Sequence, residues 1–204
     1  ENKEDELKYN GVVYNEMKGA YSSPDSILYR KIPQTIYPDT CYALSSGGDP
    51  DEIPNLTYEE FVEFHKKYYH PSNSYIFLYG NGDTEKELEF INEEYLKNFE
   101  YKEIDSEIKE QKSFESMKEE SFTYGIAESE DLNHKSYYSL NFVIGDATDG
   151  EKGLAFDVLA YLLTRSTAAP LKKALIDAGI GKAVSGDFDN STKQSAFTVL
   201  VKNA

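Results

Sequence analysis

The amino-acid sequence predicts an α+β fold. Apolar residues recur at helical spacing in several segments, and short runs rich in branched and aromatic residues, typical of strands, lie between them. No segment has low complexity, and 39% of the 204 residues are hydrophobic. The chain is therefore long enough for one large core or two smaller ones.

Composition limits the classes of partner. The formal net charge is -16, and every run of lysines is interleaved with Glu or Asp, so the sequence does not predict a nucleic-acid-binding surface. The acidic balance favours cationic partners, or it serves solubility alone. No apolar run is long enough for a membrane span, and the charged segment 1–6 does not resemble a signal peptide. The single Cys41 excludes an internal disulfide and fits a reducing compartment, so we predict a cytoplasmic protein, with the matrix of an organelle as the alternative.

The first expected helix runs from Leu7 to Ala20 and carries Glu16 among Val12, Val13 and Met17. This pattern predicts a buried carboxylate. Because an unpaired charge away from water costs several kcal/mol, such a group is expected to meet a cation, a metal or a hydrogen-bonding cluster.

The following elements are predicted from their end signals. A turn at Ser22–Asp25 introduces a helix that ends before Pro33 or Pro38. A glycine-containing loop then precedes a capping box at Thr57–Glu60, which opens a helix that His70–Asn73 stops. The loop is either an ordinary connection or a place where a ligand backbone can approach closely.

Alternating and aromatic runs predict the remaining elements. Ser74–Gly80 is expected to form a buried strand, and a capping box at Thr84–Glu87 is expected to open a helix that ends near Phe99. Residues 101–120 are charged and poor in apolar side chains, which predicts a linker. Further elements are expected as strands at Phe122–Ile126, Tyr137–Ile144, Val184–Phe188 and Ala196–Val201, and as helices over 154–163 and from Pro170 to Gly179.

The chain by itself contains no complete catalytic motif. Its three histidines are His65, His70 and His134, and neither H-E-x-x-H nor H-x-x-E-H occurs. His70 follows His65 by five positions, which places them on different sides of a helix, so packing and capping roles are predicted for both. G-x-S-x-G and phosphate-binding loops are absent as well.

Several short segments of the sequence, in the same order, resemble the presequence protease and falcilysin branch of the pitrilysin/insulysin metallopeptidases. The matching segments are Tyr9–Gly19, Ser46–Pro50, Leu56–Phe61, Phe64–Asn73, the strand to Asn81, Leu154–Leu159, Ala169–Ile176 and Gly179–Gly181. The resemblance therefore extends over nearly the whole chain.

The resemblance implies a zinc site. Members of this family bind one Zn²⁺ through the two histidines of an inverted H-x-x-E-H helix and a later Glu, while the Glu inside the motif acts as general base. The later Glu corresponds to Glu16, and a carboxylate beside two neutral imidazoles leaves a coordination position open for water. The H-x-x-E-H motif itself is not in this sequence.

The resemblance also implies the domain plan and the fold. Residues 1–100 correspond to the C-terminal half of the first, catalytic domain, 101–120 to a linker, and 121–204 to the N-terminal half of a second homologous domain. Each half is expected to pack helices on one face of a mainly antiparallel sheet, as in LuxS/metallohydrolase-like folds. The resemblance thus predicts two incomplete domains.

The function implied is hydrolysis of unstructured peptides, including basic ones, by a larger zinc enzyme. Ser46, Gly47, Gly48 and Asp49 are candidates for lining its substrate chamber. The remainder of the polypeptide is the expected partner, and we expect the isolated chain to bind zinc weakly and to cleave nothing. The alternative is a noncatalytic structural or peptide-binding module, which the absence of H-x-x-E-H upstream of Glu1 would favour.

Overall fold

The computed structural model describes residues 6–204, so most of the charged segment 1–6 lies outside the described residues. The chain forms two compact units. The first contains the chain up to Pro50 together with Ile108–Ala204, and the second is Asp51–Glu107. No helix within residues 6–204 combines the length and the apolar character that a membrane span requires.

The regular elements, in chain order, are α1 (Val12–Ala20), α2 (Pro24–Ile36), α3 (Tyr58–Tyr68), α4 (Thr84–Glu94), β1 (Tyr137–Asp146), α5 (Gly150–Ala160), α6 (Pro170–Asp177), β2 (Ala183–Asp189) and β3 (Gln194–Lys202). A π-helical turn at Tyr161–Arg165 continues α5. Helices α3 and α4 belong to the second unit and the other elements to the first. The first helix begins at Val12 rather than at Leu7, and α2 ends before Pro38, the second of the two predicted stops.

The sheet of the first unit is antiparallel, with strand order β1-β3-β2. β3 lies in the middle and pairs with a neighbour on each side. The β1–β3 register shifts between Val143 and Gly145, where Gly145 has φ 129°, as at a bulge. The strands predicted at Tyr137–Ile144, Val184–Phe188 and Ala196–Val201 are confirmed.

Two apolar clusters cover the two faces of this sheet. Ala196 packs with Ile36 and Tyr37 at the end of α2, whereas Phe197 packs with Ala160 of α5. Neighbouring residues of a strand point to opposite faces, so the clusters lie on opposite sides. The α+β class is confirmed, and α2 adds a second helical layer to the single one predicted, because its apolar side also meets the sheet.

The helices of the second unit follow their end signals closely. The Thr57–Glu60 capping box is present, with the Glu60 amide donating to Thr57 Oγ1 at 3.2 Å and the Thr57 amide donating to Glu60 Oε2 at 2.9 Å. Helix α4 is capped by Asp83, one residue earlier than predicted, because its carboxylate accepts from the Lys86 amide at 3.3 Å. It ends at Glu94, before a short 3₁₀ turn, and not at Phe99.

Two predicted strands are wrong. Ser74–Gly80 and Phe122–Ile126 carry no strand pairing in the structure, and Phe77 is 86% exposed. Both runs have strand-like sequences, but within residues 6–204 no other strand pairs with them. A single strand leaves its backbone groups to water, so the pattern alone does not make a sheet.

Candidate functional site

Glu16, the predicted zinc ligand, is exposed on α1. The expectation of a buried carboxylate is wrong: α1 has no buried residue, and Val12 beside it is 85% exposed. Helical spacing predicts which side chains share a face, but it does not say what covers that face. The exposed position leaves the carboxylate of Glu16 accessible from solvent.

The described residues do not complete a metal site. Within residues 6–204 there is no group of three or more His, Cys, Asp or Glu side chains arranged to hold a metal ion. Catalytic zinc needs three protein ligands, so the donor set around Glu16 does not fit a zinc ion by itself. The ligand role of Glu16 therefore stays a prediction.

The glycine-containing loop lies against α1. A Cβ on Gly47 would come within 2.5 Å of Met17 Sδ, so glycine is what lets the loop approach this side chain. The next residue, Gly48, has φ 91°, a conformation that favours glycine. The loop therefore contacts the residue that directly follows the predicted ligand, Glu16.

Two side-chain contacts anchor this loop, and a third joins the residues that make them. The hydroxyls of Tyr21 and Ser45 are hydrogen-bonded, and Arg30 of α2 forms an ion pair with Asp49. The Arg30 guanidinium also lies 4.3 Å from the centre of the Tyr21 ring. Only 16% of the Arg30 side chain is exposed. Water therefore screens its charge less than at an open surface, and the ion pair and the cation–π contact both stabilise the loop.

Sequence reasoning missed these anchors. Tyr21, Arg30 and Asp49 are far apart along the chain, and no motif spacing connects them. The one available signal is that Arg30 is one of only two arginines in the chain, the other being Arg165. Such a residue usually has a specific partner.

The substrate-binding candidates occupy different environments within the loop. Ser46 and Gly47 are exposed, whereas Gly48 and Asp49 are partly buried. Met17 fills the space beside Gly47, so a ligand backbone could approach that position only after the thioether moves. The predicted role of these four residues in substrate binding is untested by this arrangement.

The histidines of the second unit have the packing and capping roles predicted for them. His65 stacks on Tyr69 with ring centres 4.6 Å apart. His70 Nδ1 accepts a hydrogen bond from the Ser72 amide at 3.2 Å, and its ring meets Phe99 edge-on. Neither ring belongs to a group of three or more possible metal ligands within residues 6–204.

The first unit also contains a groove of about 220 Å³ between α2 and the sheet, which sequence reasoning did not predict. The lining includes Tyr29, Tyr37 and Tyr42 on one side and Asp187 and Asp189 of β2 on the other. Burial raises the pKa of Tyr37, a hydrogen bond with Thr192 opposes this, and the charge of Asp189 adds to it.

Comparison with known proteins identifies the family. The model described as "Peptidase M16 inactive domain" matches residues 55–203. Presequence protease 1, chloroplastic/mitochondrial, of Arabidopsis thaliana is 40% identical over 202 residues, which are 97% of this chain and 19% of that protein. The mitochondrial presequence protease of Xenopus laevis is 34% identical over 196 residues, covering 95% of this chain and 19% of the relative.

Solved structures support the same fold. A protease from Helicobacter pylori matches with a TM-score of 0.62 and 22% identity, over 93% of this chain and 45% of that one. A putative M16-like peptidase from Alicyclobacillus acidocaldarius matches with a TM-score of 0.54 and 16% identity, with the same coverage. The chain spans about a fifth of the length of the curated relatives, 19% in the Arabidopsis case. It belongs to the M16 peptidase family.

Proposed function

We propose that this chain is a segment of a zinc-dependent M16 metallopeptidase that degrades unstructured peptides, and that Glu16 is the third zinc ligand of that enzyme. The observation that carries the proposal is the position of Glu16, exposed on α1 next to Met17, against which the anchored loop packs. A ligand that meets histidines from elsewhere in a protein must be accessible, and this carboxylate is.

The two imidazole ligands and the general base lie outside this sequence in our proposal. One carboxylate does not hold zinc at useful affinity, because a catalytic zinc site needs three protein ligands. The isolated chain therefore neither binds zinc tightly nor hydrolyses peptides. Its contribution is the carboxylate and the surface formed by α1 and the loop Ser45–Asp49.

Peptides with basic residues are the proposed substrates. The net charge of -16 attracts cationic peptides at long range. The relatives are named as presequence proteases of mitochondria and chloroplasts, which supports an organelle matrix as the location, the alternative to the predicted cytoplasm. The remainder of the polypeptide is the partner that completes the site.

The zinc content of the protein expressed from the whole reading frame tests the ligand role. We expect Glu16→Gln to lose most of its zinc and its peptide hydrolysis. Glu59→Gln, which removes an exposed carboxylate from the first turn of α3, is the matched control and keeps both. Wild-type zinc content in Glu16→Gln contradicts the proposal.

A noncatalytic peptide-binding module is the second candidate. Its support is the description of the matching family model as an inactive domain, which covers residues 55–203, and the lack of a metal-binding group in the described part of the chain. The upstream coding sequence discriminates the two: H-x-x-E-H before Glu1 supports the peptidase, and a reading frame without it supports the module.

A further inference from the structure

The groove between α2 and the sheet has an apolar inner wall. The wall is built by α2 residues at helical spacing and by apolar residues on one face of β3, and it consists of Ile32, Pro33, Ile36, Ala196 and Leu200. Ile36 and Leu200 are almost fully buried, whereas Ile32 and Pro33 are partly exposed and accessible from the groove. The interior therefore offers a preformed surface for aliphatic carbons.

Hydrogen bonds fix two of the aromatic rings in the groove. Tyr37 donates from its hydroxyl to the Gln194 carbonyl at 2.6 Å, and the Tyr42 hydroxyl accepts from the Lys193 amide at 2.9 Å. The two rings contact each other with centres 5.8 Å apart. Tyr29, which is more exposed, lies at the rim.

The opposite rim is acidic. Asp187 and Asp189 lie two positions apart on β2, so they face the same side of the sheet, and both are exposed. Asp189 accepts from the Ser191 amide at 2.8 Å, but neither carboxylate forms an ion pair with a Lys or Arg in residues 6–204. The groove thus combines an apolar wall, tyrosine rings and two negative charges without a cation between them.

We propose that this groove binds the side chain of a lysine or arginine in a basic peptide. The aliphatic stem lies on the apolar wall, and the cation meets Asp187 and Asp189 at the rim. An anion would be repelled by the two carboxylates, and a purely apolar group would leave them without a partner. The site lies on α2 and the sheet and needs neither zinc nor Glu16, so it goes beyond the proposed function.

Nuclear magnetic resonance titration of the 204-residue chain tests this without any metal. The probe is the blocked tripeptide acetyl-Gly-Lys-Gly-amide, and the matched probe carries acetyl-lysine, which has the same stem and no charge. We expect the lysine peptide to shift the amides of residues 36–37 and 185–189 and to bind about tenfold more tightly than the acetylated one. Equal affinity for the two peptides, or shifts elsewhere only, overturns the proposal.

Charge variants test the two carboxylates. Asp187→Asn with Asp189→Asn is expected to abolish the preference for lysine. Glu151→Gln with Asp157→Asn removes two exposed charges from α5 and is expected to keep it, which separates local pairing from the general acidic field. Equal loss in both double variants overturns the proposal, as does a groove occupied by a second copy of the chain, detected as a dimer by sedimentation.

If the groove variant does not fold, the comparison of the lysine and acetyl-lysine peptides on the wild-type chain still decides the question. Zinc content in the test of Glu16 and peptide binding here are measured separately. Failure of one therefore leaves the other standing.

Discussion

β3 and the segment Ser74–Gly80 have similar compositions and opposite environments. Both are rich in branched and aromatic residues. β3 is paired on both sides and buried on both faces, whereas Ser74–Gly80 pairs with no strand in the described part of the chain and exposes its rings. The difference comes from the neighbours, because β-propensity measures how a residue fits a half-buried pleated surface that must already exist.

The same lesson applies to α1. Its apolar residues have helical spacing and do form a helix, but none of them is buried. In this chain the local pattern selects the element, and the packing partner decides whether its apolar side chains leave water.

Truncation of one phenylalanine in each region gives the largest contrast. Phe197→Ala removes a ring packed between β3 and the helices α5 and α6, and we expect a loss of about 3–5 kcal/mol in the free energy of unfolding. Phe77→Ala removes an exposed ring and should change it by less than about 0.5 kcal/mol. Urea denaturation measures the free energy of unfolding of both variants. A similar loss in the two would contradict the difference between these regions.

A polar contact at the start of β3 provides the next test. Gln111 is 6% exposed and lies in the predicted linker, yet it accepts from the Asp39 amide at 2.9 Å and donates to Asp39 Oδ2 at 2.7 Å. The backbone amide of Gln111 donates to Gln194 Oε1 at 2.6 Å. Gln111→Ala should cost about 1–3 kcal/mol, because partners are left unsatisfied. The exposed Lys112→Ala, measured in the same urea series, should stay near wild type.

Two glycines of the anchored loop sharpen the contrast with the unpaired segment. Gly48→Ala should cost about 1–2 kcal/mol, because φ 91° is unfavourable for a residue with a Cβ. Gly47→Ala should cost less, since the clashing Met17 thioether is at the flexible end of its side chain and can rotate away. Thermal unfolding checks the order, and a larger effect at Gly47 would contradict it.

Alkaline titration is expected to give the smallest effect. Because burial raises the pKa of Tyr37, the unfolded chain loses this proton first, near the ordinary tyrosine value of about 10. The contribution to stability is therefore complete below that pH and decreases as pH rises through the folded pKa. Tyr37→Phe should cost about 1 kcal/mol at neutral pH, through the lost bond to Gln194, and should show a shallower alkaline decline. The exposed Tyr101→Phe should retain the wild-type decline, and equal curves for both variants would refute the assignment.

Much of the fold is predictable from the sequence where the signal is local. The capping box at Thr57, the proline at the start of α6 and the glycine at its end, Gly179, each act within a few residues, and all three are present. Partners distant along the chain are not predictable in this way. The pairing of Arg30 with Asp49, and the absence of a strand partner for Ser74–Gly80 within residues 6–204, depend on which surfaces meet after folding.

The candidate site shows the same division. The resemblance selects Glu16 and the loop from short matching segments, and in the structure the loop packs on Met17, the residue after Glu16. The exposure of Glu16 and the groove beside α2 are not predictable from the sequence, because both depend on which elements pack together. Helical spacing predicts which residues share a face of α2, but not that two aspartates of β2 lie opposite.

Amide hydrogen exchange on one sample of the 204-residue chain is the most direct test of whether a paired neighbour, and not the local sequence, decides which strand-like run is structured. We expect the amides of β3 to exchange slowly, near the limit set by global unfolding, and those of residues 75–79 to exchange at the rate of an unstructured peptide. Slow exchange throughout 75–79, equal to that of β3 at low protein concentration, would contradict the account.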